Sequence, residues 1–173
     1  MKNSLAKKYI KEKIRIALNE DFGASGDITS KTLISKKSTL KASIYAKESA
    51  ILCGTEFAYQ TFKMLNHSIR IKMLKEDGSK VIKGDKIITV SGSAKSILAA
   101  ERTALNFLGL MSGIASKTKK YVDIAKTYGV KIYSTRKTIP GIREMQKYAL
   151  TVGGAYVNRS SLSDFYFIKD NHL

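Results

Sequence analysis

Beyond Ser112-Gly113 the apolar pattern switches repeatedly between a helical and an extended period, and this alternation limits the possible folds more than any other feature of the chain. The spacing predicts a helix over 114–127, a strand at 130–134, a helix over 141–152, a strand at 155–157 and a last strand at 164–168. Strands alternating with helices are expected to run parallel, because a crossover helix returns the chain to the same end of the sheet. Three such strands alone leave an open edge and uncovered apolar surface. More chain, or a partner, is expected to cover it.

The preceding residues predict a different unit. Leu5, Tyr9, Ile10, Ile14, Ala17 and Leu18 recur at helical spacing over 5–20, with a lysine-rich outer face. Two glycines between Gly23 and Thr29 suggest a loop. Residues 39–53 alternate as a half-buried strand up to Gly54, and a helix over 55–65 follows. Short runs at 69–74, 80–82 and 86–91, separated by Asp77-Gly78 and Gly84-Asp85, predict a small antiparallel sheet. Residues 94–111 are apolar nearly all round, as in a helix buried on several sides. The expected class is α/β: an N-terminal α+β, sandwich-like domain over 1–111, then over 112–173 the first part of a parallel α/β barrel, three strand-helix units and incomplete.

Composition narrows the function classes. Cys53 is the single cysteine, so neither an intrachain disulfide nor a cysteine metal cluster is possible, which points to a reducing compartment. Residues 1–20 lack the uninterrupted apolar core of a secretory signal, and no stretch reaches the roughly 18 apolar residues of a membrane span. A cytoplasmic protein without a membrane partner is expected. The net charge of +17 would suit a polyanion. Yet the lysines are spread through every segment, and only six of the 31 basic residues are arginines (15, 70, 102, 136, 143 and 159), so nucleic acid is not the expected partner.

The arginines carry more information by position. In parallel α/β folds ligands bind at the C-terminal ends of strands. Ser134-Thr135-Arg136-Lys137-Thr138-Ile139-Pro140-Gly141 follows the first predicted strand, Asn158-Arg159 the second and Lys169-Asp170-Asn171-His172 the third. Arginine supplies a bidentate fork and lysine a point charge, the tools for carboxylate and phosphate. Arg136, Lys137, Arg159 and Lys169 are therefore candidates for one anion site, although any one of them alone reads more simply as a solvated charge. His67 reads as a turn histidine, Gly153-Gly154 as a helix end, and Met64, Met73, Met111 and Met145 as core fillers.

Ala100-Glu101-Arg102-Thr103-Ala104-Leu105-Asn106-Phe107-Leu108, Ser112-Gly113-Ile114-Ala115, Thr135-Arg136-Lys137-Thr138-Ile139-Pro140-Gly141 and Lys169-Asp170-Asn171-His172 occur in that order, after Glu20-Asp21 and Gly26-Asp27-Ile28-Thr29. This series resembles the successive motifs of the quinolinate phosphoribosyltransferases (nicotinate-nucleotide pyrophosphorylase, carboxylating), over nearly the whole chain. The resemblance implies an N-terminal α/β domain and an incomplete-type barrel that family members continue past the third barrel strand. It also implies a homodimer and the joining of quinolinate to phosphoribosyl pyrophosphate, giving nicotinate mononucleotide, pyrophosphate and carbon dioxide in NAD biosynthesis.

Carried over residue by residue, the resemblance implies that Arg136, Arg159 and Lys169 grip the quinolinate carboxylates, with Thr135 beside them. Lys137 would lie against the phosphoribosyl donor, Lys137 and Lys169 would stand nearest the reaction, and Arg102 would reach the site of a neighbouring subunit. Mg2+ is the implied cofactor, with its acidic ligands on later barrel strands, so no metal ligand is assigned here. One departure is Asn158, which stands where the family typically has a histidine and cannot carry its charge. The molybdenum-transport-associated relative of the same fold and a basic non-enzymatic binding module are the alternatives; the Lys169-Asp170-Asn171-His172 ending favours the quinolinate enzymes.

Overall fold

The computed structural model describes residues 5–173, so the first four residues of the expected 1–111 domain lie outside the described residues. Helix α1 spans Lys7–Phe22 and buries Ile10, Ile14 and Leu18, the stripe its spacing foretold. The expected loop beyond it instead contains a short helix, α2, over Ile28–Leu33. Asp27 caps that helix, its carboxylate accepting from the Ser30 N–H at 2.9 Å. The two glycines before it, Gly23 and Gly26, spoke for a turn and masked the capping signal.

The expected strand over 39–53 divides into β1 (Thr39–Tyr45) and β2 (Ala50–Ile51). Helix α3 covers Thr55–Leu65, followed by β3 (Arg70–Met73), β4 (Lys80–Val81) and β5 (Lys86–Ser93). The runs predicted as one sheet belong to two. The first has the order β1-β5-β3, antiparallel throughout, and β2 pairs with β4 in the second. Ile88 and Val90 of β5 turn inward onto α3 and the following helix, where Phe62, Ile69, Ile97, Ala100 and Ala104 complete one core. Met73 belongs to neither core and is 37% exposed, correcting its reading as a core filler.

The two helices expected over 94–111 and 114–127 are one helix, α4, of 34 residues from Ala94 to Thr127, and the expected domain boundary falls inside it. A glycine and a serine mid-helix weaken the local preference by roughly 1 kcal/mol, an amount that packing overrides. The packing here is specific. Ser112 Oγ accepts from the Cys53 N–H at 2.9 Å and donates to the Cys53 carbonyl at 3.1 Å, and Ser116 Oγ accepts from the Ile51 N–H at 2.8 Å. Ser112, at the apparent break, fastens α4 to the loop after β2, and Ser116 fastens it to β2.

Helix α5, Arg143–Val152, packs on α4, with Gly153 ending it as expected. A second core joins the two halves of the chain: Ile10 and Ile14 of α1, Cys53 and Phe57, Phe107 and Met111 of α4, and Met145 and Ala149 of α5. The Phe57 and Phe107 rings lie 4.7 Å apart at its centre. Among the described residues the barrel begins as a single parallel bridge, Tyr133 to Tyr156, and residues 164–168 form no strand. Three strand-helix units are therefore not formed. Parallel pairing is slightly less stable per residue than antiparallel, and 164–168 instead turn their phenylalanines onto Arg159. The architecture is mixed α/β: an N-terminal sheet domain, then the start of a barrel.

Candidate active site

The single bridge does most of the positioning. Tyr156 N–H donates to the Ile132 carbonyl and Ser134 N–H to the Tyr156 carbonyl, each at 2.9 Å. The buried Ser134 hydroxyl then accepts from the Asn158 N–H at 3.2 Å. With Tyr133 opposite Tyr156, Arg136 and Arg159 each stand three residues beyond a paired residue. Both reach the same cavity of about 420 Å³, which Lys169 and His172 also line.

Each cation is held differently. Arg136 Nε is the one buried side-chain polar atom without a hydrogen-bond partner among the described residues. Such an atom leaves a donor free for a ligand. The Arg159 guanidinium lies over Phe167 at 4.8 Å and Phe165 at 5.7 Å, and Lys169 Nζ over Phe167 at 5.3 Å. Exposed contacts of this kind contribute roughly 0.5–1 kcal/mol each. The Phe165 and Phe167 rings meet edge to face, with centroids 6.4 Å apart and planes at 61°. Lys169 N–H donates to His172 Nδ1 at 3.2 Å, turning the imidazole to the same opening.

The loop bearing Arg136 is stapled to α5. Ile139 N–H donates to the Gln146 side-chain oxygen at 2.9 Å, and Arg143 Nε donates to Thr138 Oγ1 at 3.0 Å. Helix α5 is itself anchored at both ends of its first turns. Its Met145 N–H donates to the Tyr9 hydroxyl at 3.3 Å, and the Tyr148 hydroxyl donates to the Asp77 carboxylate at 2.9 Å. Burial first, and then the Asp77 charge, push the Tyr148 phenol and the Cys53 thiol well above their ordinary pKa values.

Of the residues expected from sequence, Arg136, Arg159 and Lys169 converge on the cavity. Thr135, Lys137 and Arg102 do not line it. Thr135 and Lys137 are exposed on the same loop, where Thr135 Oγ1 accepts from the Lys137 N–H at 3.1 Å, and Arg102 is exposed on α4. His67 is an exposed turn residue, as read. Sequence reasoning missed Lys147, buried at 4% exposure beside the Arg159 loop. Burial, then the Arg143 charge, hold its pKa below the ordinary lysine value, with Asp164 opposing and Arg136 adding. Its spacing of four from Arg143, on the helix that follows the arginine loop, was the available signal.

Family models for the quinolinate phosphoribosyl transferase N-terminal and C-terminal domains match residues 27–112 and 114–173. The chain belongs to the quinolinate phosphoribosyltransferase family. A quinolinate phosphoribosyltransferase [decarboxylating] of Nicotiana tabacum is 41% identical over 164 residues, 95% of this chain and 46% of the relative. A nicotinate-nucleotide pyrophosphorylase [carboxylating] of Mycobacterium leprae is 36% identical over 167 residues, 94% of this chain and 58% of the relative. The solved structure of the nicotinate-nucleotide pyrophosphorylase from Francisella tularensis superposes with a TM-score of 0.93 at 39% identity, covering 98% of this chain and 60% of that one. The chain thus spans about half the length of its curated plant relatives in the quinolinate phosphoribosyltransferase family. Among the described residues no helix is long and apolar enough to cross a membrane.

Proposed function

We propose that this chain supplies the quinolinate-binding part of a phosphoribosyl transfer reaction that forms nicotinate mononucleotide with release of pyrophosphate and carbon dioxide. The observation that carries the reading is the convergence of Arg136, Arg159 and Lys169 on one cavity, with Arg136 Nε unpartnered. Quinolinate is a planar dicarboxylate. Two arginine forks and a lysine match its charge, and the Phe165 and Phe167 edges suit its ring.

In this reading the bound ring is oriented so that its nitrogen faces the anomeric carbon of phosphoribosyl pyrophosphate. The C–O bond to pyrophosphate breaks as the N–C bond forms, and Lys137 and Thr135, exposed on the loop beside the cavity, meet the anionic donor. The adjacent carboxylate then departs as carbon dioxide, leaving its electron pair on the ring carbon beside the positively charged nitrogen, which stabilises it until that carbon takes a proton from water. Fixed cations and a fixed ring therefore account for the chain's share of catalysis.

Magnesium is the cofactor the family implies. The ionisable groups lining the cavity are Arg136, Arg159, Lys169, His172 and the phenol of Tyr166, and no group of three or more His, Cys, Asp or Glu able to hold a metal occurs among the described residues. That cationic donor set does not fit magnesium. What these residues offer is anion binding. A homodimer, with Arg102 of α4 directed to the second copy's site, accounts for an exposed arginine outside the cavity. A reducing, cytoplasm-like compartment suits the buried free thiol of Cys53.

Isothermal titration of the purified chain with quinolinate tests the reading, with Arg136→Ala in parallel. Saturable binding weakened about tenfold or more by the substitution is expected from loss of a charge-assisted pair. A folded wild-type chain that takes up no quinolinate would overturn it.

A further inference from the structure

We propose that Lys147 is a positioning residue that holds Arg159 toward the cavity by gripping the backbone of the loop bearing it. This rests on the reading of the cavity as a dicarboxylate site. Lys147 Nζ donates to the Arg159 carbonyl and, at 3.2 Å, to Ser160 Oγ. Four residues earlier on the same face of α5, Arg143 donates through Nη1 to the Ser160 carbonyl and through Nε to Thr138 Oγ1, each at 3.0 Å. One helix face thus fastens both arginine loops, and through them the spacing of Arg136 and Arg159.

The choice of a lysine is itself informative. A buried ammonium costs free energy unless fully partnered, and a neutral donor would hold a carbonyl more cheaply. Here the ammonium lies with Arg143 and Arg136 nearby and Asp164 as the opposing charge. Asp164 is already engaged, accepting from the Ser160 N–H at 2.7 Å and from the Ser161 N–H at 3.3 Å. The positive excess beneath the cavity is relieved when a dianion enters. Helix α5 can bear the load because Met145 and Ala149, on either side of Lys147, are buried in the core. The loop itself has no ladder to hold it.

The test compares wild type with Lys147→Met, close in length but without donors, and with Tyr148→Phe as a control for general destabilisation. Hydrogen exchange without ligand and titrations with quinolinate and with nicotinate, which has one carboxylate, are measured on each. In Lys147→Met, exchange at 159–161 should rise about tenfold or more while the α4 core amides stay protected, as loss of charge-assisted hydrogen bonds predicts. Quinolinate binding should weaken by a similar factor and nicotinate binding by much less, because only the dicarboxylate needs both arginines at fixed spacing. Tyr148→Phe should leave the quinolinate-to-nicotinate ratio unchanged. Should Lys147→Met fail to fold, Lys147→Gln is read in the same direction. Unchanged exchange, or an unchanged ratio in a variant that binds quinolinate, overturns the proposal. If wild type itself binds no quinolinate, the dicarboxylate reading falls, and exchange at 159–161 alone decides whether Lys147 grips the loop.

Discussion

The Asp77 carboxylate is the acceptor on which the position of α5 depends, and its removal has a calculable cost. Its oxygens accept from the Gly54 N–H at 3.1 Å, the Thr55 N–H at 2.9 Å and the Tyr148 hydroxyl at 2.9 Å. The first two are unpaired donors at the start of α3, so losing their acceptor resembles losing an N-cap, about 1 kcal/mol. The Tyr148 bond is charge-assisted and partly buried, worth roughly 1–1.5 kcal/mol. Asp77→Ala should therefore cost about 2–3 kcal/mol. For a chain of this size that lowers Tm by roughly 4–12 °C, readable by circular dichroism. Tyr148→Phe alone should cost about 1 kcal/mol, and much less in the Asp77→Ala background, leaving a coupling near 1 kcal/mol. Strictly additive losses, or an Asp77→Ala chain that melts with wild type, would refute the assignment of α5 to this anchor.

Two further outcomes test the packing and the loop. An added Cβ at Gly153 would stand 2.5 Å from the Ala115 carbonyl oxygen and 2.6 Å from Thr118 Cβ, so Gly153→Ala should force α4 and α5 apart at a cost of about 1–3 kcal/mol in urea unfolding. At Gly113 an added Cβ meets nothing within 4 Å, and Gly113→Ala should stabilise α4 by roughly 0.5–1 kcal/mol; equal stability of the two variants would contradict the α4-α5 contact. The Ser161 hydroxyl, then the Ser160 N–H, hold the pKa of Asp164 below the ordinary aspartate value of 3.8. The folded pKa is the lower one, so this tie should be intact above pH 3.8 and lost as pH falls through the folded value. Exchange at Ser160 and Ser161 should follow that step and lose it in Asp164→Asn.

Which parts were legible in the sequence follows from the range of the forces involved. Helices α1, α3 and α5 announce themselves through period, because each buries one stripe of its own residues. The continuity of α4 was hidden, since what carries it through Ser112-Gly113 is a pair of serine hydrogen bonds to Cys53 and Ile51, 59 and 65 residues away. The barrel strands were over-read for the converse reason. Residues 130–134 and 155–157 have strand character, yet parallel pairing is slightly less stable per residue than antiparallel, and one bridge is all they form.

The site divides along the same line. Arg136 and Arg159 could be placed from their position after predicted strands, because the end of a strand fixes where the next side chains emerge, whereas Lys169 reaches the cavity although 164–168 form no strand. The bridge of Tyr133 to Tyr156 makes that placement quantitative for the two arginines, through an equal offset of three residues. Lys147 and Asp77 were not legible as site supports, since a lysine in a helix and an aspartate before glycine each have a commoner use, on a solvated face or in a turn. Their partners lie 12 and 71 residues away, and only the folded chain brings them together. On the proposed reading, the groups that would meet an anion are announced by residue type and place, whereas the group that would aim them is an ordinary residue whose role is set by what the fold puts opposite it. A substitution at Lys147 should alter discrimination between one carboxylate and two before it abolishes binding, and that order of loss separates aiming from contact.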